Sequence, residues 1–118
     1  MNALDPATIA SLKALDDGDG FFAGMVQAFL ENAQPTLERL RQARLNNDVA
    51  ELERAAHKLR GAASAVGARA LAACCERLEQ AARQGGAPSA ASEAASEIDA
   101  IEAEFQRVVA ALDAELRI

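Results

Sequence analysis

The stretch Ala55-Ala56-His57-Lys58-Leu59-Arg60-Gly61-Ala62-Ala63-Ser64-Ala65-Val66-Gly67 contains the only histidine of the chain and sets the pattern for the rest. At about 100° per residue, Leu52, Ala56, Leu59, Ala63 and Val66 gather within about 80° of arc and make one buried helical stripe. His57 falls about 160° from Leu59, on the side that faces water. Glu53, Arg54, Arg60 and Gly61 occupy the positions three and four residues away, which touch His57 on a helix surface.

Gly61 is the informative neighbour. A glycine inside a helix costs about 1 kcal/mol relative to alanine, and this chain is otherwise rich in alanine. A mid-helix glycine often marks a close helix–helix contact, but Gly61 points away from the buried stripe, which weakens that account. It leaves room beside the imidazole for a bulky group or for another protein's backbone. Arg54, Lys58 and Arg60 supply positive charge to an anion held there. A lone surface histidine is ordinarily just solvated, and three cations ordinarily form a solvated helix face. The combination with a cleared neighbouring position is what points to phosphorylation of His57.

The run His57-Lys58-Leu59-Arg60-Gly61 with Gly67 resembles the signature of histidine-containing phosphotransfer (HPt) domains of phosphorelays. That signature reads histidine, any residue, an apolar residue, lysine and glycine, with a second glycine farther on. The likeness continues through Ala70-Leu71 and Cys75-Glu76-Arg77-Leu78. Arg60 stands where the family has lysine, which keeps the charge and changes the donor geometry. Glu79 stands where several members carry a glutamine near the histidine, so the resemblance assigns it no bond to His57.

The resemblance implies a phosphorelay intermediate. His57 takes a phosphoryl group from a receiver-domain aspartyl phosphate and passes it to another receiver aspartate, with Lys58, Arg60 and Gly61 around it. Response-regulator receiver domains and a hybrid sensor histidine kinase are the implied partners. Mg²⁺ is expected in the partner receiver and no cofactor in this chain. The docking surface is expected on the His57 helix face and the start of the adjacent long helix. Its contacts would be Phe21, Phe22, Met25, Arg54 and Ser64, although core packing accounts better for at least one of the phenylalanines. Glu53 is the carboxylate placed to orient the ring or favour its protonated form. The competing readings are a helical adaptor that docks to a kinase with an unused histidine, and a dimerisation bundle.

A chain of 118 residues supports one domain, here 1–118. Half of it is hydrophobic, largely alanine, and β-branched residues are sparse, so the expectation is all-α. Asp5-Pro6 starts a short helix with Ile9, Leu12 and Leu15 on one face. The acidic Asp16–Gly20 segment lacks the spacing and closing glutamate of a calcium loop and reads as a connector. A long helix from Phe21 to Leu45 follows, with Pro35 kinking it or marking a restart. Asp48 and Glu51 form a capping-box-like start for the His57 helix, which ends at Gly67. Leu71, Cys74, Cys75, Leu78 and Ala82 stripe the next helix. Gln84–Ser89 reads as a loop, and a last helix runs from about Ser92 to Leu116. Four long amphipathic helices plus a short N-terminal one predict an antiparallel up-and-down four-helix bundle. Its expected core is Val26, Phe29, Leu37, Leu40, Leu52, Leu59, Val66, Leu71, Leu78, Ile101, Phe105 and Leu112.

Net charge of −6 without a basic patch or aromatic platform argues against nucleic acid. No apolar run approaches the roughly 18 residues of a membrane span, and no secretory signal is visible. Adjacent Cys74 and Cys75 fit a helix interior in a reducing compartment, with a redox pair as the sharper alternative. These features predict a cytoplasmic monomer, read from its starting methionine and short tails as free-standing. The sequence offers no phosphate-cradling glycine loop, metal-ligand cluster or hydrolytic triad, so His57 is expected to act as a carrier and not as an enzyme.

Overall fold

The computed structural model describes residues 2–84 and 88–117, the backbone alone for 88–95. Five helices follow in order: α1 Pro6–Ala14, α2 Phe21–Leu45, α3 Val49–Ala65, α4 Arg69–Arg83 and α5 Pro88–Leu116. No strand occurs among the described residues. α3 lies between α2 and α4, α4 packs on α5, and α5 returns to α2 to close the bundle. The Glu53–Arg83 ion pair and the His57–Glu79 contact climb α3 while descending α4, which is the signature of antiparallel neighbours.

Local chemistry accounts for the helix ends. Asp5 accepts from the Thr8 amide at 3.3 Å, and Pro6 occupies the first turn of α1. In the acidic connector, Asp16 accepts from the amides of Gly18 at 2.8 Å and Phe22 at 3.0 Å. Asp16 thereby takes up an amide in the first turn of α2, because the N-cap residue Gly20 has no side chain to offer. Asp48 accepts from the Glu51 amide at 3.1 Å, but the Glu51 carboxylate goes to Arg39 instead, so only half of a capping box is built. α2 runs without a restart through Pro35. One residue on, Thr36 Oγ1 donates to the Asn32 carbonyl at 2.8 Å.

α3 ends at Gly67, whose φ of +74° is the left-handed conformation that glycine adopts without a β-carbon clash. The same residue anchors α1. The Asp5 amide donates to the Gly67 carbonyl at 2.7 Å, and Thr8 comes so close that a β-carbon on Gly67 would lie 2.8 Å from its Cβ. Leu15, expected on the buried face of α1, is instead 62% exposed, because the helix stops at Ala14 and Leu15 belongs to the cap. Leu116, at the far end of α5, is also exposed. α5 begins at Pro88, so Pro88 and Ser89 are helical where a loop was expected; residues 85–87 lie outside the described ones.

All twelve expected core residues are buried, and Phe29 and Phe105 meet across α2 and α5 with ring centroids 6.1 Å apart. Alanines at 33, 55, 56, 63 and 68 are buried among them and let the helices approach closely. Cys74 and Cys75 are both free and buried. Burial pushes the Cys75 thiol up to about 12, which keeps it a thiol and inert. No described helix is long and apolar enough to cross a membrane.

Candidate functional site

His57 stands on the outer face of α3 with its side chain 66% exposed, while Leu59, two residues on, is fully buried. The ring leans toward α4. Its Nδ1 lies 3.2 Å from Oε2 of Glu79, a carboxylate that is 1% exposed. Arg60 Nη2 lies 3.1 Å from the same nitrogen. With a proton on Nδ1, the ring donates to Glu79 and Nε2 keeps a free lone pair. Nε2 has no hydrogen-bond partner among the described residues.

A buried carboxylate costs several kcal/mol unless it is paired. Glu79 is paired on both sides. Arg83 Nη2 donates to Oε2 at 3.2 Å, and Arg60 Nε lies 3.0 Å from Oε1 in an ion pair without hydrogen-bond alignment. Sequence reasoning did not assign this residue a role, and Glu53 was expected to hold the ring. Glu53 is instead occupied by Arg83 Nε at 2.8 Å. Glu79 was within reach of the sequence pattern, since it sits one turn beyond Cys75 and so falls into the buried stripe of α4.

Two cavities border His57. The larger, about 640 Å³, runs along the α3–α4 seam and is lined by His57, Arg60, Gly61 and Ser64, with Thr8 and Gly67 at one end. A smaller one of about 230 Å³ lies on the other side of the ring, between Arg54 and Arg83. Gly61 has open space within 4 Å of where its β-carbon would stand, so no packing contact requires glycine there. Four of the expected residues therefore share one groove, and Arg54 faces the second cavity. Lys58 is exposed but lines neither. Phe22 is a correction to the expected docking surface: it is 5% exposed in the core, with Lys13 Nζ 5.5 Å above its ring. Phe21 is 40% exposed at the start of α2, and Met25 is half-buried against the core. Neither lines the two cavities. Among the described residues no group of three His, Cys, Asp or Glu side chains is placed to hold a metal.

The family model described as Hpt domain matches residues 24–115. The crystal structure of histidine-containing phosphotransfer protein B (HptB) from Pseudomonas aeruginosa PAO1 is similar over 96% of this chain and 93% of its own, at 28% identity and a TM-score of 0.84. No curated protein sequence matches the chain.

Proposed function

The chain belongs to the Hpt domain family, and on that premise we propose that His57 carries a phosphoryl group between receiver domains of a two-component phosphorelay. One observation carries this reading: an exposed imidazole whose Nδ1 faces a buried carboxylate, beside a glycine with open space over it. Nε2 is the attacking atom. Its lone pair forms the N–P bond as the bond from phosphorus to the donor aspartate oxygen breaks. The acceptor aspartate reverses the step on a second receiver, and the electron pair returns to Nε2. Such transfer depends on positioning and on charge neutralisation at the phosphoryl oxygens. Arg60 and Arg54 border the ring from its two sides and supply the neutralising charge; Lys58 adds to it from one residue along.

The receiver brings the aspartate and Mg²⁺, and this chain acts as a monomeric carrier in the cytoplasm, not as an enzyme. The groove over Gly61 and Ser64 admits the receiver backbone around its aspartate, with Phe21 and Met25 as outlying contacts. Incubation with phosphorylated candidate receivers tests the reading. The wild type should acquire acid-labile, base-stable label and His57→Gln none. Equal labelling of the two proteins overturns His57 as the carrier, and no label on either across the candidate receivers favours the adaptor reading.

A further inference from the structure

Two groups contend for one ring nitrogen in this site. Glu79 Oε2 and Arg60 Nη2 lie 3.2 and 3.1 Å from His57 Nδ1. A bond to the carboxylate needs a proton on Nδ1, and a bond from the guanidinium needs a lone pair there, so one tautomer cannot satisfy both. Resting on the carrier reading, we propose that the charge of Glu79, beyond its hydrogen bond, keeps the proton on Nδ1 once Nε2 is phosphorylated, and that this proton sets how readily the phosphoryl group leaves.

The chemistry of departure supplies the reason. When the acceptor carboxylate forms its bond to phosphorus, the N–P electron pair falls back on Nε2. With Nδ1 protonated, the ring leaves as neutral imidazole; without that proton it must leave as an imidazolate anion, which is far less stable. A neutral amide in place of Glu79 could accept the same hydrogen bond but would not hold the proton electrostatically.

The surrounding charges decide whether the effect survives. The charged groups lining the two cavities beside the ring are Glu53, Arg54 and Arg60 from α3 and Arg69, Glu76, Glu79 and Arg83 from α4. Arg83 engages both Glu53 and Glu79, and of the two carboxylates only Glu79 lies within hydrogen-bond distance of the imidazole. The Arg60 and Arg83 side chains are 35% and 57% exposed, whereas Glu79 is 1% exposed. Water therefore screens the two cations from the ring more than it screens the buried anion. Arg60, displaced from Nδ1 by the proton, is free to turn Nη2 toward the phosphoryl oxygens.

Glu79→Gln tests this, because it keeps the side-chain shape and leaves behind only part-solvated arginines. Wild type and variant are labelled with phosphoramidate, which phosphorylates imidazole without a receiver. Transfer to an excess of unphosphorylated receiver with Mg²⁺ is then followed from mildly acid to strongly alkaline pH. The expected result is that the pH at which transfer has fallen by half drops by about one unit in the variant. Its label should also survive several-fold longer at neutral pH in the absence of receiver. Coincident pH profiles and lifetimes overturn the proposal while the carrier reading stands; absence of label on wild-type His57 overturns both. The ¹⁵N spectrum of the wild-type ring needs no variant. A proton on Nδ1 of the labelled ring at neutral pH supports the proposal, and a labelled ring without that proton overturns it.

Discussion

Gly61 and its neighbours separate what serves the scaffold from what serves the exposed face. Because nothing stands within 4 Å of a β-carbon at position 61, Gly61→Ala should stabilise the helix by up to about 1 kcal/mol in urea denaturation. Gly61→Arg should keep the helical circular-dichroism signal but slow phosphoryl uptake roughly 10²-fold, as expected when reacting atoms are held about 1 Å out of place. Normal uptake by that variant would count against the open-space argument. Lys58 and Leu59 make the complementary pair. Leu59→Ala opens a cavity in the fully buried stripe and should cost about 2–5 kcal/mol, whereas exposed Lys58→Ala should stay within about 0.5 kcal/mol. Comparable losses for the two would contradict the assigned facing of α3.

The stripes of α2 to α5 were legible because helical periodicity is a local property, and one misplaced residue does not move a face. Asp5, Asp48 and Gly67 were legible for the same reason, since caps act within one turn. The partner of His57 was not. Glu53 and Glu79 are both carboxylates in reach of a plausible argument, and only the register of α3 against α4 decides between them. Phe22 shares the three- and four-residue spacing of Val26, Phe29, Ala33 and Leu37, so the helix phase already marked it for the core and set Phe21 apart; the error was to count it among the docking contacts as well. The anchoring of α1 was hidden too, since Asp5 and Gly67 lie 62 positions apart in sequence. Gly67→Ala should therefore act on two elements. The positive φ and the contact with Thr8 together should cost about 1–3 kcal/mol, and hydrogen exchange should speed up at the α1 amides more than in α4. Uniform acceleration through all helices would mean that α1 is not held separately by this turn.

Across the whole molecule, stability should respond to acid through a few carboxylates at helix starts and salt bridges. Backbone amides of Phe22 and Gly18 hold Asp16 below its ordinary value of 3.8, and Thr8, reinforced by Arg69, does the same for Asp5. Glu51 is held below 4.5, first by hydrogen bonds from Arg39, and Glu38 by those from Gln42 and Arg41. Each folded value lies below the unfolded one. In the window between them the unfolded chain binds more protons, so stability rises with pH through that window. The contribution is fully present above the ordinary carboxylate values and is lost as pH falls through the lowered folded ones. Arg39 and Arg41, raised first by hydrogen bonds to Glu51 and Glu102, matter only in strongly alkaline solution and leave the neutral range flat. The melting temperature should therefore hold steady from neutral pH down to about 5 and fall below about 4. Asp16→Asn should flatten the acid limb while lowering stability at neutral pH, since an amide accepts the same bonds with less strength. An acid limb unchanged by that substitution would show that the start of α2 does not depend on the charge of the connector.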